Sequence, residues 1–372
     1  EQDALRFAVD IPSGVNATTG EILAVAAAAD FTITFGTNKR GIVLFPGCNY
    51  AGTVIVSDIG FPKKAVEEIR PRAYTLTRQD AMELMPPRIL RSNKGSYGKV
   101  LVIAGSAEIS GACYLCAAAA GRMGSGLVKV FTAAENSTVI RTRLPEALVA
   151  TYDSTLDYSQ PENRLELSGR LQEEIKWASC IVIGPGIGTK EPAGILLTEV
   201  LKEKNKAIVI DADGLNVLSG KDEYFVERED GTRKLALSAN VVLTPHLQEM
   251  TRLTRFEIPL IRARIVDQAL LALECANGQT LVLKDARTVV TDGGEVYINT
   301  TGNNALSTGG TGDVLTGMIA GLLAQGMRPK RAAVLAVCLH GIAADEYVRD
   351  RGGRYSMIAS DLLDMLPQIL PK

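Results

Sequence analysis

The strongest constraint on this chain is an alternation. From residue 98 onward, apolar runs rich in β-branched residues recur at 100–104, 127–131, Cys180–Ile183, Ala207–Ile210, Val241–Leu243 and Thr280–Leu283, each bounded by Gly, Pro or Asp. Helical stretches separate most of them, at 111–123, 164–177, 193–204, Leu247–Thr254 and 262–275. A strand that is apolar at every position is covered on both faces, and strands joined through helices run parallel. The pattern predicts an α/β fold with a mainly parallel sheet and helices on both faces. Runs at 288–291 and 296–298 flank Asp292-Gly293-Gly294, which signals a hairpin. Long helices are expected at 314–325 and 331–348.

The first 62 residues read differently. They hold short β runs at 7–9, 31–35 and 52–56, a short helix expected at 24–29, and the turns Pro12-Ser13-Gly14 and Phe45-Pro46-Gly47. A segment of about 60 residues buries too little surface to be stable alone, so it is expected to lean on its neighbour or on further chain. The chain opens at Glu1 and enters a strand almost at once, as the middle of a domain would. Pro62, Lys63, Lys64, Glu67, Glu68, Pro71 and Arg72 mark a linker with a short helix. The expected division is therefore 1–70 and 71–372.

Composition removes some classes of partner. The net charge is −2, which gives no basic surface for nucleic acid or a membrane. No 18-residue apolar stretch occurs. The six cysteines, at 48, 113, 116, 180, 275 and 338, do not space as a disulfide frame, and a reduced, cytoplasmic setting is expected. Cys113-Tyr114-Leu115-Cys116 has the C-x-x-C spacing but lies in an Ala-rich helical run without a second pair, so buried small side chains are favoured over metal or redox use.

Chemistry-bearing residues fall repeatedly just after the strands, where open α/β sheets bind ligands. They are Gly105-Ser106, Gly184-Pro185-Gly186-Ile187-Gly188, Asp211-Ala212-Asp213-Gly214-Leu215-Asn216, Thr244-Pro245-His246, and Lys284 through Thr288. Last comes Ser307-Thr308-Gly309-Gly310-Thr311-Gly312-Asp313, running into an apolar helix. Glycines let backbone N–H groups approach an anion, and a helix start adds its positive dipole end. Asp313 is suited to take a proton from a hydroxyl. Alone, the loop reads more readily as a turn with a capping Asp; Asp211 and Asp213 read as caps or as outer ligands of Mg2+; His246 reads as an ordinary loop histidine. Together they describe a nucleotide-phosphate site facing a hydroxyl-bearing substrate. The chain lacks G-x-x-x-x-G-K-[ST], so it is not a P-loop protein.

The order and spacing of these motifs, with Asn93-Lys94-Gly95-Ser96-Tyr97-Gly98 and Leu339-His340-Gly341, make residues from about 72 to 372 resemble the ADP- or ATP-dependent NAD(P)H-hydrate dehydratase family. The resemblance implies a ribokinase-like fold, and dehydration of the S-epimer of hydrated NADH or NADPH after a nucleotide phosphorylates its ring hydroxyl. It implies Asp313 as catalytic base. Substrate is expected along Ala112, Gly186, His246, Glu249, Arg252 and Asp313. ADP or ATP, with Mg2+, is expected along Lys284, Asp285, Ala286, Arg287, Thr288, Asn303, Asn304, Ser307, Thr308, Gly309, Gly310, Thr311 and Gly312.

Residues 1 to about 62 are similar to the end of an NAD(P)H-hydrate epimerase domain, itself Rossmann-like, through Val9-Asp10-Ile11-Pro12-Ser13-Gly14. That similarity implies a catalytic role for Asp10 and a K+ ligand at Ser13. The family's upstream Asn-Gly-rich loop is not in this sequence, so epimerisation by this chain alone is not expected. Fusion to an epimerase implies a preference for ADP, and a homo-oligomer is expected. A ribokinase-like small-molecule kinase is the alternative.

Three departures stand out. The family's H-P-G-E is His246-Leu247-Gln248-Glu249 here, its L-K-G is Leu283-Lys284-Asp285, and its G-N-P-G is Gly302-Asn303-Asn304-Ala305. Loss of Pro and Gly is expected to alter the first turn, and Asp285 to add negative charge near the nucleotide.

Overall fold

A computed structural model describes residues 4–69, 71–273 and 278–371. The strands, in chain order, are β1 Phe7–Val9, β2 Phe31–Phe35, β3 Thr53–Ser57, β4 Ala73–Tyr74, β5 Lys99–Ile103, β6 Leu127–Ala133, β7 Leu148–Tyr152, β8 Cys180–Ile183, β9 Ala207–Ile210, β10 Phe225–Glu227, β11 Arg233–Leu235, β12 Val241–Leu243, β13 Thr280–Leu283, β14 Val289–Thr291 and β15 Val296–Ile298. Ten of them form one sheet in the order β4-β15-β14-β13-β12-β9-β8-β5-β6-β7. Only β14 runs against its neighbours β13 and β15, which is the expected hairpin.

Side-chain size sorts the two faces of this sheet. Val100, Val102, Cys180, Val182, Val209, Val242 and Val282 point to one side, where helices Gly111–Arg122, Thr311–Ala324 and Pro329–Arg351 pack. Leu101, Ile103, Ile181, Ile183, Ile208, Ile210, Leu243 and Leu283 point to the other, beneath helices Pro161–Trp177 and Glu191–Leu201. The period-2 alternation of a strand produces this division. The smaller side chains let helices approach the sheet closely, and those helices are themselves rich in Ala and Gly. A Cβ on Gly317 would stand 2.1 Å from the Cys116 carbonyl oxygen, so Gly is required where helix Thr311–Ala324 meets helix Gly111–Arg122.

The N-terminal segment forms a separate parallel sheet, β1-β2-β3, with a small core of Val15, Ile42 and Ala51. The next two residues along, Val43 and Leu44, are buried in the core of the large domain instead. The segment thus leans on its neighbour as its size requires. The linker holds the expected short helix, Lys63–Ile69, and the large sheet takes up the chain again at β4; Arg70, at the expected boundary, lies outside the described residues.

Two expectations are corrected, and two elements are added. Residues 24–29 are irregular, not helical, with Ala24 at φ 68°: Ala27 N–H donates to Ser13 O at 2.9 Å and Ala29 N–H to Tyr50 O at 2.9 Å, and these tertiary bonds replace a helix. The helix expected at 262–275 is two, Ile258–Ala263 and Ile265–Ala272, broken at Arg264 (φ −133°, ψ 50°); Cys275 lies outside the described residues. Strand β7 and a final helix, Ala359–Ile369, were not anticipated. Among the described residues no helix is long and apolar enough to cross a membrane.

Candidate active site

The strand ends converge on Asp211. It sits just beyond β9 and is 1 % exposed. Lys284, just beyond β13, places Nζ 2.8 Å from Asp211 Oδ1. Thr316, on helix Thr311–Ala324, donates its hydroxyl to Oδ2 at 2.7 Å. Burial opposes a charge on Asp211, but Lys284 and Thr316 hold its carboxyl below the usual range. Burial likewise opposes the Lys284 ammonium, and Asp211 and Glu249 override it and keep it charged. Asp211 thus fixes the Lys284 ammonium in place at the mouth of the sheet.

The helix that brings Thr316 also brings Asp313, one turn earlier on the same face. Gly310, at φ 90°, turns the chain into this helix, and Thr311 Oγ1 ties the loop down by donating to Leu306 O at 3.0 Å and Thr308 O at 3.1 Å. A Cβ at Gly312 would lie 3.4 Å from Lys284 Nζ, so ammonium and helix start sit side by side. The first N–H groups of a helix have no partner within it and face outward. Asp313 is half-buried, and its carboxyl is pushed up to about 7 by burial first and the neighbouring Asp211 second, with Lys284 opposing. A carboxylate with that proton affinity beside an anion-binding helix start is poised to accept a proton near neutral pH.

Beside this point lies a cavity of about 650 Å³. Of the expected nucleotide residues, Lys284, Asp285, Ala286, Arg287, Thr288, Asn303, Asn304, Ser307, Thr311 and Gly312 line it. Thr308, Gly309 and Gly310 form the turn leading into the helix rather than the cavity wall. His340 lines it too; burial lowers its pKa to about 4, so the neutral ring donates from Nε2 to Thr311 O at 3.0 Å. The sequence did not single out Phe45, Asn299, Thr301 and Arg354, which line it as well; His246, expected on the substrate side, also lines it. Thr316 was also missed, although its spacing of three from Asp313 on an expected helix signals a shared face.

The expected substrate residues divide. Gly186 and Ala112 are neighbours: a Cβ on Gly186 would stand 3.0 Å from that of Ala112. Arg252 is exposed and donates to Asn216 Oδ1 at 2.8 Å. Glu249 is buried, with its carboxyl raised to about 7 mainly by that burial. It accepts from His246 N–H at 2.8 Å, while His246 Nδ1 accepts from Gln248 N–H at 3.1 Å and Glu249 N–H at 3.3 Å. This is a capping box, with histidine as the cap. It starts helix Leu247–Thr254 without the family's Pro and Gly, so the turn expected to change shape is closed by reciprocal hydrogen bonds.

Asp213 accepts from Gly188 N–H at 2.9 Å and so ties two strand-end loops together. Both oxygens of Asp211 are engaged, one by Lys284 and the other by Thr316. Cys113 and Cys116 are buried free thiols, with Cys113 pushed up to about 11 by burial. In the N-terminal segment Asp10 adopts φ 66° and is held as an anion by Lys39, with Thr34 Oγ1 and Phe35 N–H each donating at 3.1 Å. Ser13 is exposed, and its carbonyl accepts from Ala27.

Comparison with known proteins gives the chain a family and a fold. A family model described as NAD(P)H-hydrate dehydratase matches residues 100–368, and one described as YjeF-related protein N-terminus matches residues 1–41. A bifunctional NAD(P)H-hydrate repair enzyme Nnr of Thermofilum pendens is 36% identical over 99% of this chain and 67% of its own length. Its counterpart in Moorella thermoacetica is 37% identical over 98% of this chain and 66% of its own. The chain thus spans about two thirds of these relatives. The solved ADP/ATP-dependent NAD(P)H-hydrate dehydratase of Bacillus subtilis, co-crystallised with ATP/Mg2+, superposes with a TM-score of 0.65 at 30% identity, covering 79% of this chain and 96% of that one. With a mainly parallel sheet of ribokinase type and a family match across most of its length, the chain belongs to the NAD(P)H-hydrate dehydratase family.

Proposed function

We propose that the chain dehydrates the S-epimer of hydrated NADH or NADPH at the expense of ADP or ATP, as a metabolite-repair lyase. The observation that carries this is Asp313, raised to about 7 and set beside both a helix start and the Lys284 ammonium. The substrate hydroxyl gives its proton to Asp313 as its oxygen attacks the terminal phosphorus of the nucleotide. The bond from that phosphorus to the nucleotide's bridging oxygen breaks, and the shortened nucleotide leaves with the electron pair. The N–H groups at the helix start and Lys284 balance charge on the transferring phosphoryl. Phosphate then departs from the ring with the C–O electron pair, the neighbouring carbon gives its proton to water, and the C–H electron pair becomes the restored ring double bond. Mg2+, carried on the phosphates, neutralises their charge.

The nucleotide occupies the cavity along Lys284–Thr288 and Asn303–Gly312, and the dinucleotide lies toward Gly186, Ala112 and the His246 helix start. Residues 1–70 act as part of an epimerase module, in which Asp10 and a K+ at Ser13 rest on the family resemblance. Free buried thiols support a cytoplasmic setting. Exposed apolar side chains on the small sheet, among them Phe7 and Val9, support self-association. The test supplies ADP, Mg2+ and hydrated NADH and follows nicotinamide absorbance and free phosphate. Both are expected to rise together. A stable phosphorylated product without absorbance identifies a kinase instead.

A further inference from the structure

The N-terminal segment reaches into the nucleotide cavity. Phe45 is the only Phe, Tyr or Trp among the described residues that line it. It is 37 % exposed, while Val43 and Leu44 just before it are buried in the core of the large domain. Anchors from both sides fix this position. Arg287 Nε donates to Val43 O at 3.1 Å, and its guanidinium carbon lies 5.5 Å from the centre of the Phe45 ring. Arg40, which opens the short helix Arg40–Val43, pairs with Asp267 at 3.6 Å. A flat apolar ring held at a cavity wall is unsuited to phosphate, which the Lys284 and Gly312 side serves. It suits a heteroaromatic base, since stacking accepts any π face and a neighbouring guanidinium adds attraction.

We propose that Phe45 is a nucleotide-specificity residue lent by the N-terminal segment, stacking on the base of the nucleotide whose phosphates sit at Gly312. This rests on the proposed function only in taking the cavity as the nucleotide site. It makes the segment a structural part of the dehydratase site, whatever its own chemistry.

The experiment compares ADP with ribose 5-diphosphate, which has the phosphates and sugar but no base, by calorimetry on the full chain. Phe45→Ala is expected to weaken ADP about tenfold and leave ribose 5-diphosphate unchanged, so the preference for ADP collapses by the same factor. Phe45→Trp is expected to retain it. An unchanged preference in Phe45→Ala overturns the inference, as does equal loss of both ligands or loss of preference in Phe45→Trp. Absence of ADP binding to the wild-type chain overturns the nucleotide-site reading itself, which separates the two failures.

Discussion

Lys284 and Asp211 form an ion pair at 2.8 Å, with side-chain exposures of 21% and 2%, directly beneath the start of the helix that carries Asp313. One partner rides on β13 and the other on β9, two strands away across β12. The pair therefore couples the centre of the sheet to the helix start proposed to hold the phosphoryl group. Removing one member leaves the other buried and unpaired, which costs about 3 kcal/mol or more. Asp211→Ala is expected to lower the unfolding free energy by roughly that amount, measured by urea titration. The double variant with Lys284→Met is expected to recover part of the loss, though not activity.

Asp313→Asn is expected to reduce turnover by about 10²–10⁴-fold, the usual contribution of a positioned base. ADP affinity by calorimetry is expected to stay within about twofold, because the N–H groups of the helix start remain. Wild-type turnover in the variant would remove Asp313 as the base.

The pH dependence follows from the same group. As the proposed base, Asp313 must be ionised to accept a proton, and burial raises its pKa to about 7. The rate constant kcat/KM is expected to climb with pH and level off above about 7. Stability runs the opposite way. A carboxyl whose pKa is raised by folding contributes stability below its unfolded value near 3.8, and that contribution is lost as pH rises through about 7. Asp313→Asn is therefore expected to raise Tm relative to wild type above neutrality and to have little effect in acid. Scanning calorimetry across pH checks this.

Two glycines in helices should behave oppositely. At Gly317 a Cβ meets the Cys116 carbonyl oxygen at 2.1 Å, so Gly317→Ala is expected to destabilise by about 1–3 kcal/mol through overpacking. At Gly169, in helix Pro161–Trp177, a Cβ meets nothing within 4 Å. Gly169→Ala is expected to stabilise by roughly 0.5–1 kcal/mol, the helix-propensity difference. Thermal melts of the two variants decide it.

The legible parts of the fold were those where burial acts on both faces. Cys180–Ile183, Ala207–Ile210, Val241–Leu243 and Thr280–Leu283 stand where the sequence put them, because central parallel strands are apolar throughout. Strand β7 escaped notice because it closes one edge of the sheet and only Tyr152 within it is fully buried. The alanines at 24–29 carry helix propensity, but partners far along the chain, Ser13 and Tyr50, claim their backbone N–H groups. Helix Ala359–Ile369 was hidden by Pro367 near its end. In the site, the loop segments were readable because glycines and charges mark them. Phe45 was not: its place in the cavity depends on Val43 and Leu44 docking across a domain boundary, which no local pattern records.

The sorting of side-chain size across the large sheet has a kinetic meaning. Lys284 is fixed to the sheet, while Asp313 is fixed to a helix that rests on valines and a cysteine. The thickness of that apolar layer is therefore the ruler that sets the gap between Asp313 and the Lys284 ammonium. One added methylene at Val182 or Val209, beneath helix Thr311–Ala324, lifts the helix as a wedge would. Val209→Ile is expected to slow phosphoryl transfer while leaving every ligand-contacting residue in place. In this molecule the hydrophobic core acts as the calibration of the catalyst.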